Sequence, residues 1–357
     1  MLRALTLMLL TFVPEASENS INPKSLSCSG CIVLVDVTVL GAVNWDINLF
    51  VKRFPEIGEE VPVERITRVP GGKAANVAVA AARILGKGRA SVISCLGRDG
   101  IAETQIKILD EEGVVTSGIK LLDGEESGQA YIIIDEGGRN VINTYFGANM
   151  RLSPDILMAP QALSLLRESS TITVIDPPTQ TIRKAVSIGR KEGKTVVWDA
   201  GVRSVLGVER LKEILEKVDY IVINEVELKN LTGESDPSNA WRILSRINNN
   251  IRLVAKLGNR GCMMITSDEA ARVEAVDLER LGLKVVNTVG CGDAFLGVFI
   301  ASKAEGFGDK EALERANLAG ALKATKQETR GSPSKDELER YLQFAESAET
   351  IQPLSSG

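Results

Sequence analysis

The sequence predicts an α/β fold, a three-layer αβα sandwich around a mostly parallel sheet. Short apolar runs of strand length alternate with helical stretches along most of the chain, the pattern of a parallel sheet covered by helices on both faces. Glycine-rich turns follow several of these runs, at the carboxyl ends of strands where open parallel sheets gather ligands. Two stretches break this rhythm, one alternating apolar and polar residues and one reading as a β-hairpin that by itself fits an antiparallel edge of the sheet.

In chain order, strands are predicted at 32–35, 90–95, 171–175, 195–198, 220–223, 253–257, 262–265 and 284–287, with helices such as 208–218 and 310–326 between or after them. The alanine-rich run from Val77 to Leu85 is a strong helix former that Gly86 can end. The interruptions are 46–70, with alternating residues from Glu59 to Val69, and 128–146, which reads as a hairpin turning at Gly137-Gly138. Residues 2–13 are apolar with one arginine, but no small-x-small cleavage site follows, and the run is too short to span a membrane. We read 1–30 as a disordered leader, 31–344 as one domain and 345–357 as a tail.

Composition excludes several chemistries. The chain has 357 residues, 44% of them hydrophobic, enough for a sizeable core. A net charge of −5 argues against nucleic acid or an anionic membrane as partner. Histidine is absent, which removes Ser-His-Asp and Cys-His nucleophiles and histidine-ligated zinc. Acid–base work must then rest on carboxylates, Lys, Cys or Tyr. The cysteines are Cys28, Cys31, Cys95, Cys262 and Cys291. One CxxC with no second pair is a poor zinc site, and a scattered odd set fits a reducing, cytoplasmic setting.

The most informative stretch is Asn287-Thr288-Val289-Gly290-Cys291-Gly292-Asp293, leading into an apolar helix. The amides of Gly290, Cys291 and Gly292 can point into one cavity where a helix N-terminus adds positive potential, a site suited to a transferring phosphoryl group. Asp293 stands where it could accept the proton of an attacking hydroxyl. Taken alone, the turn fits equally a strand–helix connection that merely needs glycine. Two other segments accompany it: Gly41-Ala42-Val43-Asn44-Trp45-Asp46 and Gly71-Gly72-Lys73-Ala74-Ala75-Asn76.

Together, in this order and spacing, the three segments resemble the ribokinase-like, or PfkB-type, carbohydrate kinases from about residue 32 to 341. The resemblance implies that the two interruptions form a small β-sheet lid hinged at Gly71-Gly72, which would exclude water from the site. It implies a substrate set of Asn44, Asp46, Gly71, Gly72, Lys73, Asn76 and Asp176, the last standing where the family usually carries a glutamate. It implies nucleotide contacts from Asn224, Lys256, Gly258, Asn259, Gly261 and Asn317. Glu227 would organise Mg²⁺ through water. Asn224 to Glu227 also reads simply as an acidic helix start.

One departure concerns Asn287, where the family usually has an aspartate that helps hold a monovalent cation. The asparagine keeps an oxygen but loses the charge, which predicts weak or absent potassium activation. The expected activity is transfer of the terminal phosphoryl group of ATP to a primary hydroxyl of a small sugar. Ribose is favoured by the Gly147-Ala148-Asn149 stretch. Nucleosides, ribose 1-phosphate (with Arg139 and Arg151 as the nearest extra cations) and a non-catalytic sugar-binding role are the alternatives. Family relatives imply pairing of two copies through the lid. No dinucleotide or P-loop fingerprint is present.

Overall fold

The computed structural model describes residues 34–350, so the predicted leader, both Cys28 and Cys31, and residues 351–357 lie outside it. The large sheet contains β1 (Val37–Gly41), β4 (Ala90–Gly97), β5 (Val114–Leu122), β8 (Thr171–Ile175), β9 (Thr195–Asp199), β10 (Tyr220–Asn224), β11 (Arg252–Lys256), β12 (Cys262–Ile265) and β13 (Ala270–Val273). Its order is β13-β12-β11-β10-β9-β8-β1-β4-β5. All neighbours pair in parallel except β11 with β12 and β12 with β13. Apolar side chains fill both faces, as a sheet buried on two sides requires. A separate four-stranded sheet, β3-β2-β6-β7, is built from β2 (Asn44–Val51), β3 (Val63–Gly71), β6 (Gly128–Ile134) and β7 (Asn140–Tyr145). These are the two stretches that break the βα rhythm, with the β6–β7 turn closed by Gly138 N–H donating to Asp135 O at 2.9 Å.

The structure departs from the predicted elements in several places. The first strand begins at Val37, where pairing with Ala90 and Thr171 starts; Asp36, ion-paired to Arg89 at 2.5 Å, closes the apolar run before it. Residues 284–287 are not a strand. The amides of Val286 and Asn287 donate to Ala324 O, at the end of helix Asp309–Ala324, and Val285 and Val286 are 61% and 53% exposed. β5 and β13 escape sequence reading because the first carries Thr116, Ser117 and Gly118 in its middle and the second is a short, half-exposed edge. The predicted tail boundary at 345 falls inside helix Lys335–Thr350.

Two helices matter most for the site. Lys73–Leu85 and Cys291–Ala304 lie side by side so closely that a methyl at Gly297 would stand 2.4 Å from Ala80 Cβ. Alanine and glycine at the crossing let the backbones approach, and this aligns both helix starts at the carboxyl edge of the sheet. Among the described residues no helix is long and apolar enough to cross a membrane.

Candidate active site

A cavity of about 430 Å³ opens at the carboxyl ends of β8, β9 and β10, between that edge and the inner face of the small sheet. Asn44 and Asp46 enter it from β2, Ile132 and Ile142 from β6 and β7, and Asp176 and Asp199 from the ends of β8 and β9. Gly71 does not line it. A methyl there would sit 2.2 Å from the Asp46 carboxylate, so the glycine makes room for that side chain. Gly72, at φ 92°, lies against Asn44 N, 2.5 Å from where its Cβ would be, and joins β3 to helix Lys73–Leu85. Asp176 holds a left-handed φ of 53°, a conformation aspartate tolerates better than most residues.

Asp293, in the first turn of helix Cys291–Ala304, faces the same cavity. Its Oδ2 accepts from Asn76 Nδ2 at 2.8 Å. Asn76, expected to read a sugar hydroxyl, thus holds Asp293 and also accepts from Arg330 Nε at 3.0 Å. At the helix start, Cys291 N–H donates to Thr288 O at 3.3 Å and Ala294 N–H to Gly290 O at 2.9 Å. Among the described residues no acceptor meets the amides of Gly292 and Asp293. Among the described residues the amide of Gly290, the left-handed N-cap (φ 86°), meets no acceptor either, so of the three amides the sequence pointed to only that of Cys291 is engaged, and Asp293 adds an open one beyond them.

Charge in the cavity is organised around Lys73. Its ammonium stands 3.3 Å from Asp199, 3.5 Å from Glu227 and 3.9 Å from Asp176. Burial works against that charge, but Asp199, Asp176 and Glu227 outweigh it and push the lysine pKa up. Asp199 also pairs with Lys256 at 3.2 Å; burial opposes its charge, and the two lysines overcome it to hold the carboxyl below the usual range. Burial raises Asp176 to about 6, with Lys73 opposing, and Asp46 to about 7, with Arg330 opposing. Asp293 is likewise pushed up by burial, with Lys73 and the Asn76 bond acting the other way.

A second cavity, of about 510 Å³, meets the first at Lys256 and Gly292, which line both. Gly258, Asn259, Gly261 and Asn317 border it, with Val276, Leu278, Val285 and Phe295 as apolar wall. Asn224 is not among its lining residues; it lies with Glu227 in the first cavity. The two form a capping box, Glu227 N–H to Asn224 Oδ1 at 2.9 Å and Asn224 N–H to Glu227 Oε2 at 3.1 Å. The simpler sequence reading, a helix start, is therefore present in the structure. Arg139 and Arg151 reach neither cavity; they pair with Asp135 at 2.6 Å and Glu125 at 2.7 Å.

Asn287 donates Nδ2 to Gln327 O at 2.8 Å and accepts Val289 N–H on Oδ1 at 3.0 Å. Its main-chain oxygen accepts from the ammonium of Lys323 at 2.8 Å. Sequence reasoning missed Asp199, Arg330 and Lys323. It also missed the use of Asn149, whose amide braces Asn44 Oδ1 at 2.9 Å.

The chain is similar to known proteins over most of its length. The model of the pfkB family carbohydrate kinase matches residues 35–336. A ribokinase of Staphylococcus aureus (strain COL) is 29% identical over 273 residues, covering 74% of this chain and 85% of that protein. An ATP-dependent ribose-1-phosphate kinase of Halopiger xanaduensis is 27% identical over 309 residues, 87% of this chain and 98% of its own. The solved structure of Arabidopsis thaliana ribokinase complexed with ribose and ATP superposes with a TM-score of 0.78 at 24% identity, covering 87% of this chain and 99% of that one.

Proposed function

This chain belongs to the pfkB family of carbohydrate kinases, phosphotransferases acting on a hydroxyl group, and from that premise we propose that it phosphorylates an unphosphorylated sugar, ribose first, at its primary hydroxyl with ATP. The observation that carries this reading is the charge of the first cavity. Five carboxylates (Asp46, Asp176, Asp199, Glu227 and Asp293) line it against two ammonium groups, Lys73 and Lys256, both engaged by Asp199. Carboxylates accept pairs of hydroxyl hydrogen bonds and repel an acceptor that already carries phosphate. The Halopiger relative makes ribose 1-phosphate the natural competitor, yet neither arginine expected to meet such a phosphate reaches the cavity.

Asn44, Asp46 and Asp176 hold the sugar hydroxyls, and the nucleotide occupies the apolar second cavity with its terminal phosphate at the Lys256–Gly292 junction. Asp293 takes the hydroxyl proton as the sugar oxygen bonds to the terminal phosphorus and the bond to the ADP oxygen breaks in line. The amides of Gly292 and Asp293 and the Lys256 ammonium meet the charge that develops on the transferring group. Magnesium, bound with the nucleotide, would supply further charge neutralisation there. Among the described residues no group of three or more acidic or cysteine side chains could hold a metal ion alone, so Glu227 would meet it through water.

The test is a coupled phosphorylation assay with Mg-ATP and Mg-ADP against ribose, fructose, 2-keto-3-deoxygluconate, ribose 1-phosphate and nucleosides. The highest kcat/KM is expected for ribose with ATP; a preference for ribose 1-phosphate would overturn the charge argument. The pH profile gives a second check. With Asp46 raised to about 7 and Asp176 to about 6, both by burial, each loses its acceptor charge as pH falls through those values. Sugar kcat/KM should fall between about pH 8 and about pH 6, and Asp46→Asn should remove the upper part of that limb. A flat profile over this range would contradict it.

A further inference from the structure

Lys323 lies in the last turn of helix Asp309–Ala324 and is 0% exposed. Among the described residues its ammonium makes no ion pair. It donates to the main-chain carbonyls of Asn287 at 2.8 Å and Lys326 at 3.3 Å. The bond to Lys326 could be a helix-end cap, since cations suit helix C-termini. The bond to Asn287 has no such explanation, because that residue opens the turn leading to Gly292 and Asp293. The turn is clamped to the segment after the helix at two further points. Asn287 Nδ2 bonds Gln327 O, and Gly290 presses on Thr329 O, 2.2 Å from where a Cβ would be. Lys323 is thus a cation held on carbonyl oxygens under the phosphate turn. Cys291, Glu328, Asp293 and Lys326 are the titratable groups that feel it, and burial lowers its pKa.

We propose that the Lys323 ammonium is a built-in cation of this turn, taking from within the chain the carbonyl-lined place that a monovalent ion would otherwise fill, so that nucleotide binding and turnover need no potassium. An ammonium and a potassium ion are of similar size and both prefer clusters of carbonyl oxygens, so one can stand for the other. The positive charge acts through the turn rather than on the substrate, which makes Lys323 a positioning residue. It steadies the amides of Gly292 and Asp293 where anionic charge builds up. The inference rests on the kinase reading, but it makes a claim that reading does not.

The experiment compares the wild type with Lys323→Ala, Lys323→Met and Lys323→Arg in potassium, ammonium, sodium and tetramethylammonium chlorides at equal ionic strength. Mg-ATP affinity is read by calorimetry and kcat by the coupled assay. Wild-type Kd and kcat should not change with the cation. Lys323→Ala should lose about tenfold or more in kcat, with sugar KM little changed, and regain most of it in potassium or ammonium but not in tetramethylammonium. Lys323→Met fills the space without charge and should not be rescued, while Lys323→Arg should keep most of the rate. Potassium activation of the wild type by severalfold would overturn the proposal and requires no variant. So would full kcat in Lys323→Met, which would reduce the lysine to a helix cap. The calorimetric arm needs no acceptor, so failure to find the right sugar would count against the kinase substrate and not against this cation.

Discussion

Asp293→Asn is expected to lower kcat by about 10²- to 10⁴-fold while leaving sugar KM and melting temperature close to wild type. The side chains are isosteric, so the cavity keeps its shape, and the amide oxygen can still accept from Asn76 Nδ2, now 2.8 Å from Asp293 Oδ2. What disappears is the negative charge of the carboxylate and with it the ability to take a proton. Burial pushes the Asp293 pKa up, so its charge costs the folded state something, and neutralising it should not destabilise the protein. Because proton acceptance matters only in the transition state, kcat and kcat/KM should fall by the same factor. Steady-state kinetics with a thermal melt decide it. A variant with nearly full kcat would remove Asp293 from the proton-acceptor role, and a large rise in KM with kcat intact would make it a substrate ligand instead.

The parts of this site that could be read in the sequence are those where backbone geometry forces the residue type. Gly290 must be glycine because its φ is 86° and Thr329 O fills the place of a Cβ; Gly71 must be small because Asp46 lies against it. Such demands recur as short fixed patterns. Asp199 leaves no such mark. It ends an ordinary buried strand, and its importance comes from Lys73 and Lys256, which lie 126 and 57 residues away in the chain. Arg330 is hidden for the same reason. Its bonds to Gly71 O, at 2.9 Å, and to Asn76 span more than half the chain, and nothing local in Thr329-Arg330-Gly331 announces them. The parallel strands were legible because both faces are buried and the runs are apolar throughout. Residues 284–287 show the limit of that signal. An apolar run that walls a cavity looks the same as one that enters a sheet.

Lys73→Met should be the most damaging change to folding among the cavity side chains, and its cost should depend on pH in a particular direction. Asp199 keeps Lys256 in the variant, but Asp176 and Glu227 lose the cation 3.9 and 3.5 Å away. Removing one partner of a fully buried pair costs about 3–5 kcal/mol. Lys73 is 37% exposed, so water screens part of this and about 1–3 kcal/mol is the reasonable expectation. In the wild type the ammonium's raised pKa means its contribution is complete at every pH below the normal lysine range. Asp176, left without Lys73 and raised by burial, takes up a proton more readily in the folded than in the unfolded chain. Acid therefore stabilises the variant relative to wild type. Urea melts at about pH 8 and about pH 5.5 should show the deficit shrinking as pH falls, and Asp176→Asn in the same chain should recover part of it at the higher pH. A deficit that grows on acidification would mean that Lys73 is held by packing and not by the three carboxylates around it.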